Sequence, residues 1–243
     1  MSGQPFELRL QDLAGVRGGG VRVAVIDSGI HAAHPHVQGV ASGIGIDPAG
    51  HEIAEWVDRL GHGTAVAAVI REKAPEAELI AIKVFDRDLR TTGAALVAAL
   101  RWARNARVRL INLSLGTDNA ADESLLAEEV RACRADNVDI VAAGPQTNVR
   151  WLPGGLAGVV AVELDMALPR DTVRVSLDPS GHLAVAASGY PRPIPGVPVE
   201  RNLKGLSFAV ANATGLLARL LTGDPGASLA AALGTVRSTS PSA

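Results

Sequence analysis

The sequence contains a single cysteine, Cys133, and aromatic residues make up only 3% of its 243 residues. One cysteine excludes an intrachain disulfide and a cysteine-cluster zinc site. The 23 basic and 25 acidic residues nearly balance, which removes the electrostatic attraction expected of a protein that binds nucleic acid or a membrane surface. No apolar stretch reaches the ~18 residues that cross a bilayer, and no secretory signal is visible at the N-terminus. We therefore expect a cytoplasmic protein with no nucleic-acid or membrane partner.

Short runs rich in Val, Ile and Ala alternate with segments of helical period in the first half of the chain. The strand candidates are residues 21–27, 78–85, 108–115 and 138–144. Between them, Gly93–Asn105 and residues 124–134 carry apolar side chains near the 3.6-residue period of a helix. This alternation predicts an α/β fold of three layers, with a doubly wound, mainly parallel sheet and helices on both faces.

The second half of the chain has shorter strand candidates separated by Gly and Pro turn signals. They are residues 159–165, 173–178 and 183–187. The Pro-rich residues 190–199 predict an ordered surface loop, and residues 208–221 predict a last helix.

The sequence shows no internal repeat and no boundary between two domains. We expect one domain over residues 21–222, between an N-terminal extension at residues 1–20 and a C-terminal tail at residues 223–243.

Three polar residues stand at the ends of apolar segments. Asp27 ends the first strand candidate, His62 lies between two glycines before an apolar helix, and Ser207 directly precedes the last helix candidate. Taken singly, each has a structural explanation: a turn or capping aspartate, a structural histidine and an N-cap serine. Taken together, they supply the acid, base and nucleophile of a serine hydrolase. The carboxyl ends of parallel strands, where Asp27 is expected, are also where catalytic groups gather.

Five segments in this order resemble the subtilisin-like serine peptidases (subtilases), and the similarity runs over about residues 21–215. They are VAVIDSGI with the following His34-Pro35, GHGTAVA, INLSLG, VAAG and GLSFA. The resemblance implies a subtilisin-like catalytic domain with Asp27 as the orienting acid, His62 as the general base and Ser207 as the nucleophile.

The same resemblance implies where substrate binds. Ser114, Leu115 and Gly116 would pair with the substrate backbone as an added strand and, with Gly144, form the substrate pocket. The resemblance also implies a region that stabilises the oxyanion of the reaction, formed by Pro145, Leu206 and Ser207. The sequence departs from the family in this region.

Two substitutions alter that region. Pro145 stands where the family has an Asn side-chain donor, and Leu206 stands where it has a Thr. In subtilisin itself, removal of this Asn lowers turnover by about 10²–10³-fold. Gln146 and Asn148, just beyond Pro145, are candidate replacements for the missing amide.

The resemblance predicts a serine endopeptidase, with activity reduced by these departures, that processes a specific peptide or protein partner bound as an extended strand. We expect no cofactor and no metal, and a compact intracellular member of the family without a propeptide. Two alternatives stay open. Pro145 and Leu206 would also suit a pseudoenzyme that binds peptides or acts as a scaffold, and the same triad would serve an esterase or acyl transferase.

Two further groups of residues have both a structural and a functional interpretation. His31, His34 and His36 are expected in a surface loop, with a zinc site as the alternative. Trp56 and Trp151 lie near the predicted active-site loops, where each would either line a substrate groove or pack locally.

Overall fold

A computed structural model describes residues 3–145, 149, 151–177 and 182–239 of the chain. Its strands are β1 (Gly3–Arg9), β2 (Arg22–Asp27), β3 (Ser42–Ile46), β4 (Glu52–Ile53), β5 (Glu78–Lys83), β6 (Leu110–Leu113), β7 (Asp139–Ala143), β8 (Val160–Leu164), β9 (Thr172–Leu177) and β10 (Leu183–Ala187). Its α-helices are α1 (His62–Lys73), α2 (Gly93–Asn105), α3 (Glu123–Ala135), α4 (Leu206–Leu220) and α5 (Leu229–Thr239). Within these described ranges, no helix is both long and apolar enough to span a membrane.

All of these strands belong to one sheet, in the order β1-β9-β10-β8-β7-β6-β2-β5-β3-β4. The strands from β10 to β3 in this order are parallel to one another, and antiparallel pairing occurs only at the edges, through β9 and β1 on one side and β4 on the other. The predicted mainly parallel sheet is confirmed.

Helices cover both faces of the sheet, and the strand sequences show why. In β2, Val23 and Val25 join the apolar layer that contains α1 and α4, whereas Ala24 and Ile26 join the layer that contains α2 and α3. Because both faces are buried, the central strands are mostly apolar rather than alternating with polar residues.

The two ends of the chain contribute regular structure that the sequence analysis did not predict. β1 pairs with β9 inside the predicted N-terminal extension, and Leu8 is fully buried. In the predicted C-terminal tail, α5 packs Leu229 and Leu233 into the layer formed by α1 and α4. Both segments therefore pack as parts of the domain.

Glycine at residue 63 allows α1 to begin directly against the end of β2. A Cβ atom at Gly63 would lie 2.2 Å from the carbonyl oxygen of Gly29 and 3.1 Å from the Cβ of Asp27. The obstructing atoms belong to backbone and to a buried side chain, so they cannot move aside cheaply.

We expect Gly63→Ala to lower the free energy of unfolding by about 1–3 kcal/mol, because the added methyl group overpacks this contact. The matched control is Gly234→Ala in α5, where an added Cβ meets nothing within 4 Å. That change should be neutral or stabilise the protein by up to about 1 kcal/mol, since alanine favours helix more than glycine does. Chemical denaturation measures both. Equal stability of the two variants would contradict the proposed close approach.

Candidate active site

A histidine–aspartate pair lies at the carboxyl edge of the sheet. Asp27 is the last residue of β2 and His62 the first of α1, and His62 Nδ1 lies 2.7 Å from Asp27 Oδ1. Asp27 is completely buried, whereas 20% of the His62 side chain is exposed. A carboxylate at Nδ1 favours the tautomer with the proton on that nitrogen, which leaves Nε2 as the acceptor. The pair therefore has the arrangement needed for a general base.

The surroundings of His62 hold its pKa above the usual value for histidine. Burial by itself lowers this pKa, but the hydrogen bond and charge of Asp27, together with the charge of Asp58, outweigh it. The protonated form of His62 is therefore stabilised, as expected for a base that holds a proton during part of a reaction.

Asp58 is a second buried carboxylate, and the sequence analysis did not single it out. Its oxygens accept five hydrogen bonds, from Ser28 Oγ, Leu60 N, Gly61 N, Thr64 N and Thr64 Oγ1. Burial raises the pKa of Asp58, but these hydrogen bonds outweigh that effect and hold the pKa below its usual range. Asp58 thus fixes the turn that leads into His62 and joins it to the residue after Asp27.

Ser207 lies in the first turn of α4, which begins at Leu206 rather than at the predicted residue 208. Its hydroxyl donates to the carbonyl oxygen of Ser114 at 3.3 Å, and the Ser114 hydroxyl donates to the carbonyl oxygen of Ser207 at 3.2 Å. Among the described residues, Ser207 makes no hydrogen bond to His62, although both side chains line one cavity. Catalytic hydrogen bonds are often unformed in ligand-free sites and tighten with substrate.

A short chain of buried polar side chains ties α4 to β6. Thr214 Oγ1 donates to Asn112 Oδ1 at 3.0 Å, and Asn112 Nδ2 donates to Ser114 Oγ at 3.0 Å. Asn112 and Thr214 are fully buried, and each lies in a mostly apolar segment. A polar residue in such a segment is a sequence signal for a positioning residue, because a buried polar group requires a partner.

The cavity beside Ser207 has a volume of about 420 Å³ and a largely apolar wall. Of the predicted residues, Ser114, Leu115, Gly116 and Leu206 line it with His62 and Ser207. The structure adds Phe85, Leu89, Ala143 and Trp151 to this wall.

Two predicted residues do not line this cavity. Gly144 donates its amide to the carbonyl oxygen of Val162 at 2.8 Å, and Ala143 lines the wall in its place. Pro145 lines a separate cavity of about 290 Å³, together with His182. The expected amide replacements Gln146 and Asn148 lie outside the described residues.

Trp151 both packs locally and faces the groove. A Cβ atom at Gly116 would lie 3.3 Å from Trp151 Cε3, so the indole stacks on the backbone of Gly116 while it lines the cavity. The next residue, Leu152, exchanges two backbone hydrogen bonds with Thr117. Trp56 instead packs over Gly43 in β3.

The histidines after β2 lie close together without forming a metal-binding set. The rings of His34 and His36 are in edge contact, with centroids 5.2 Å apart. In the part of the chain that the structure describes, no group of three or more His, Cys, Asp or Glu side chains could hold a metal ion.

Comparison with known proteins identifies the family of the chain. The family model described as the subtilase family, peptidase S8, matches residues 18–240. Subtilisin BL of Lederbergia lenta is 31% identical over 215 residues, which cover 83% of this chain and 73% of that protein. A thermostable alkaline protease of Halalkalibacterium halodurans is 36% identical over 163 residues, which cover 61% of this chain and 42% of that protein.

Among solved structures, sphericase shares the fold with a TM-score of 0.70 at 22% identity, over 98% of this chain and 89% of that one. The described fold is thus that of a subtilisin-like α/β protein. The chain belongs to the subtilase family of serine peptidases.

The contribution of Asp58 to the pKa of His62 can be measured directly. We expect Asp58→Asn to lower this pKa, because a negative charge that favours the imidazolium is removed. NMR titration of the imidazole signals reports the change. The variant should also lose about 1–3 kcal/mol of stability, because an amide cannot satisfy all five donors.

The control is Asp47→Asn, which removes an exposed carboxylate that binds His51. It should leave the pKa of His62 unchanged. If folded Asp58→Asn keeps the wild-type pKa of His62, Asp58 does not act on the histidine electrostatically.

Proposed function

We propose that this chain is a serine endopeptidase that hydrolyses peptide bonds with Ser207 as nucleophile, His62 as general base and Asp27 as orienting acid. One observation carries the proposal: His62 is held by buried Asp27, 2.7 Å away, and shares an open cavity with Ser207 in the first turn of α4. Family membership supports the same assignment.

The reaction follows from these positions. His62 Nε2 takes the hydroxyl proton of Ser207 as Oγ attacks the scissile carbonyl carbon, and the imidazolium is stabilised by Asp27. The tetrahedral intermediate collapses when His62 returns the proton to the leaving amine, which leaves an acyl-enzyme. Water, deprotonated by His62, then attacks the acyl-enzyme and restores Ser207.

The developing negative charge on the carbonyl oxygen needs hydrogen-bond donors. The first N–H groups of a helix have no intrahelical acceptor, and Ser207 lies in the first turn of α4. We assign the Ser207 backbone amide and the positive end of the α4 dipole to this role. Pro145 lies outside the cavity wall, so among the described residues the first turn of α4 is the source to which we assign this stabilisation.

The substrate would lie as an extended strand beside residues 114–116, with the side chain that precedes the scissile bond in the apolar cavity. The lining by Phe85, Leu89, Leu115 and Trp151 favours an uncharged apolar side chain at this position. Processing of one specific peptide or protein partner is part of this proposal.

The nucleophile is tested with a fluorophosphonate probe and a mixed peptide library. We expect the wild-type protein to be labelled at Ser207 and to cleave peptides, and Ser207→Ala to lose both. The control is Ser228→Ala, since Ser228 lies before α5 and its hydroxyl accepts from Ala231 N. Folded wild-type protein that neither reacts nor cleaves would favour a peptide-binding pseudoenzyme. Cleavage of esters but not peptides would favour an esterase or acyl transferase.

The apolar cavity yields a second test. Trp151→Ala removes an indole from its wall, so larger side chains before the scissile bond should be accepted better. We expect the ratio of kcat/KM for a Phe substrate to that for an Ala substrate to rise about tenfold or more. Trp102→Ala, which trims a residue packed against the α2–α3 layer, should leave the ratio unchanged. The same ratio in folded Trp151→Ala and wild type would exclude Trp151 as a determinant of specificity.

A further inference from the structure

A second cavity, of about 650 Å³, lies next to the candidate active site. Three parts of the chain form it: the loop after β2, the turn before α1 with the first turns of that helix, and the segment between β10 and α4. We call it the leaving-side cavity, because it lies on the side of Ser207 from which the leaving amine of a substrate would depart.

The turn before α1 separates the two cavities. His62 lines the cavity beside Ser207, and the preceding residue, Gly61, lines the leaving-side cavity. Leu203, four residues before Ser207, lines the leaving-side cavity as well. If the part of a substrate before the scissile bond lies beside residues 114–116, the part that departs as the amine continues past Gly61 and Leu203. This step rests on the proposed function.

The lining of the leaving-side cavity is rich in cationic and protonatable groups. Arg59, Arg192, His31, His34 and His36 face it. Burial lowers the pKa of His36, and the charges of Arg192 and His34 lower it further. The positive charge at this cavity therefore comes mainly from Arg59 and Arg192.

In the part of the lining that the structure describes, two arginines face one carboxylate. It belongs to Asp58, whose oxygens already accept five hydrogen bonds and whose charge offsets only part of that of Arg59 and Arg192. Glu72 acts on His36 from outside the lining but is bound to Arg170. Glu55 lies 3.5 Å from Arg59, but both side chains are exposed. Solvent screens the charges of such a surface pair, so the ion pair is weak.

Apolar side chains at the same cavity stay open to solvent. Leu60, Ile194 and Leu203 line it and are 38%, 49% and 62% exposed. Exposed apolar groups grouped around a concave site indicate a surface that a partner covers. Continuity with the candidate active site identifies that partner as the substrate chain itself.

We propose that the leaving-side cavity binds the substrate segment after the scissile bond and selects a segment that combines an acidic side chain with an apolar one. Arg59 and Arg192 contact the carboxylate, and Leu60, Ile194 and Leu203 cover the apolar side chain. The positive lining rejects a basic side chain at the same position.

The test uses quenched fluorescent peptides that share one sequence before the scissile bond and differ after it. Glu, Gln or Lys is placed in turn at each of the first four positions after the scissile bond. At one of these positions, we expect the wild-type enzyme to favour Glu over Lys by about tenfold in kcat/KM. The preference should shrink as salt is raised, because the charges are near solvent. Equal rates for Glu and Lys at every position would overturn the proposal.

Charge reversal locates the effect. The double variant Arg59→Glu/Arg192→Glu should prefer Lys over Glu at that position. The matched control, Arg131→Glu, changes an exposed residue of α3 on the other side of the sheet and should keep the wild-type ratio. A double variant that still prefers Glu would overturn the assignment of these arginines.

A binding measurement separates this proposal from the proposed function. Fluorescence anisotropy of the labelled Glu and Lys peptides with Ser207→Ala does not depend on hydrolysis. Tighter binding of the Glu peptide, lost in the Ser207→Ala/Arg59→Glu/Arg192→Glu variant, would support the leaving-side cavity even if wild-type protein cleaved nothing. Equal binding of both peptides, together with normal cleavage, would overturn the cavity's role and leave the peptidase assignment standing.

Discussion

The contact between the start of α1 and the end of β2 is the constraint on which the candidate active site depends. It places His62 Nδ1 2.7 Å from Asp27 Oδ1, and it exists only because Gly63 has no side chain to strike the backbone of Gly29. Asp58 then joins the two elements through hydrogen bonds to the α1 turn and to Ser28. A buried carboxylate is tolerated only when its oxygens are satisfied, so this geometry is fixed rather than adjustable.

The position of Ser207 depends on a second close approach, between α4 and α1. A Cβ at Gly215 would lie 2.6 Å from the Cβ of Lys73, so the two helices nearly touch at their backbones. The many small residues and the scarcity of aromatics in the sequence suit this packing. Ser207 and His62 thus stand on two helices that fix each other, while hydrogen bonds through Ser114 tie the α4 terminus to β6. Rigid elements of this kind position a reacting group more accurately than loops do.

The sheet could be predicted from the sequence, and Asp27, His62 and Ser207 could be singled out, because each has a recognisable local sequence pattern. Apolar runs define strands buried on both faces, and Asp27, His62 and Ser207 each stand where such a run or a helix begins or ends. The edge strand β1 and the helix α5 lack such a pattern, since β1 is half polar and α5 follows a Gly- and Pro-rich turn. Their burial is set by partners far along the chain, which no local pattern encodes.

Contacts between side chains could not be predicted either, because they also join residues far apart in the sequence. The five donors to Asp58 include Ser28, which is 30 residues away, and Trp151 meets Gly116 across 35 residues. Gly144 was assigned to the substrate pocket through the family motif, but its amide is used by Val162 and the wall begins one residue earlier at Ala143. A motif gives the order of residues along a strand, whereas the residue that faces a cavity depends on where that strand ends.

The apolar wall beside Ser207 has a consequence for the proposed chemistry. Leu206, Leu115 and Leu89 keep the cavity poor in polar groups, and the Ser114 hydroxyl already donates to the carbonyl oxygen of Ser207. Beside these apolar side chains the dipole of α4 is less screened than in bulk water, which would strengthen the action of its first turn on the proposed oxyanion. Leu206 thus contributes no hydroxyl donor to this cavity, and as part of its apolar wall it favours the field of the helix that carries the proposed nucleophile, Ser207.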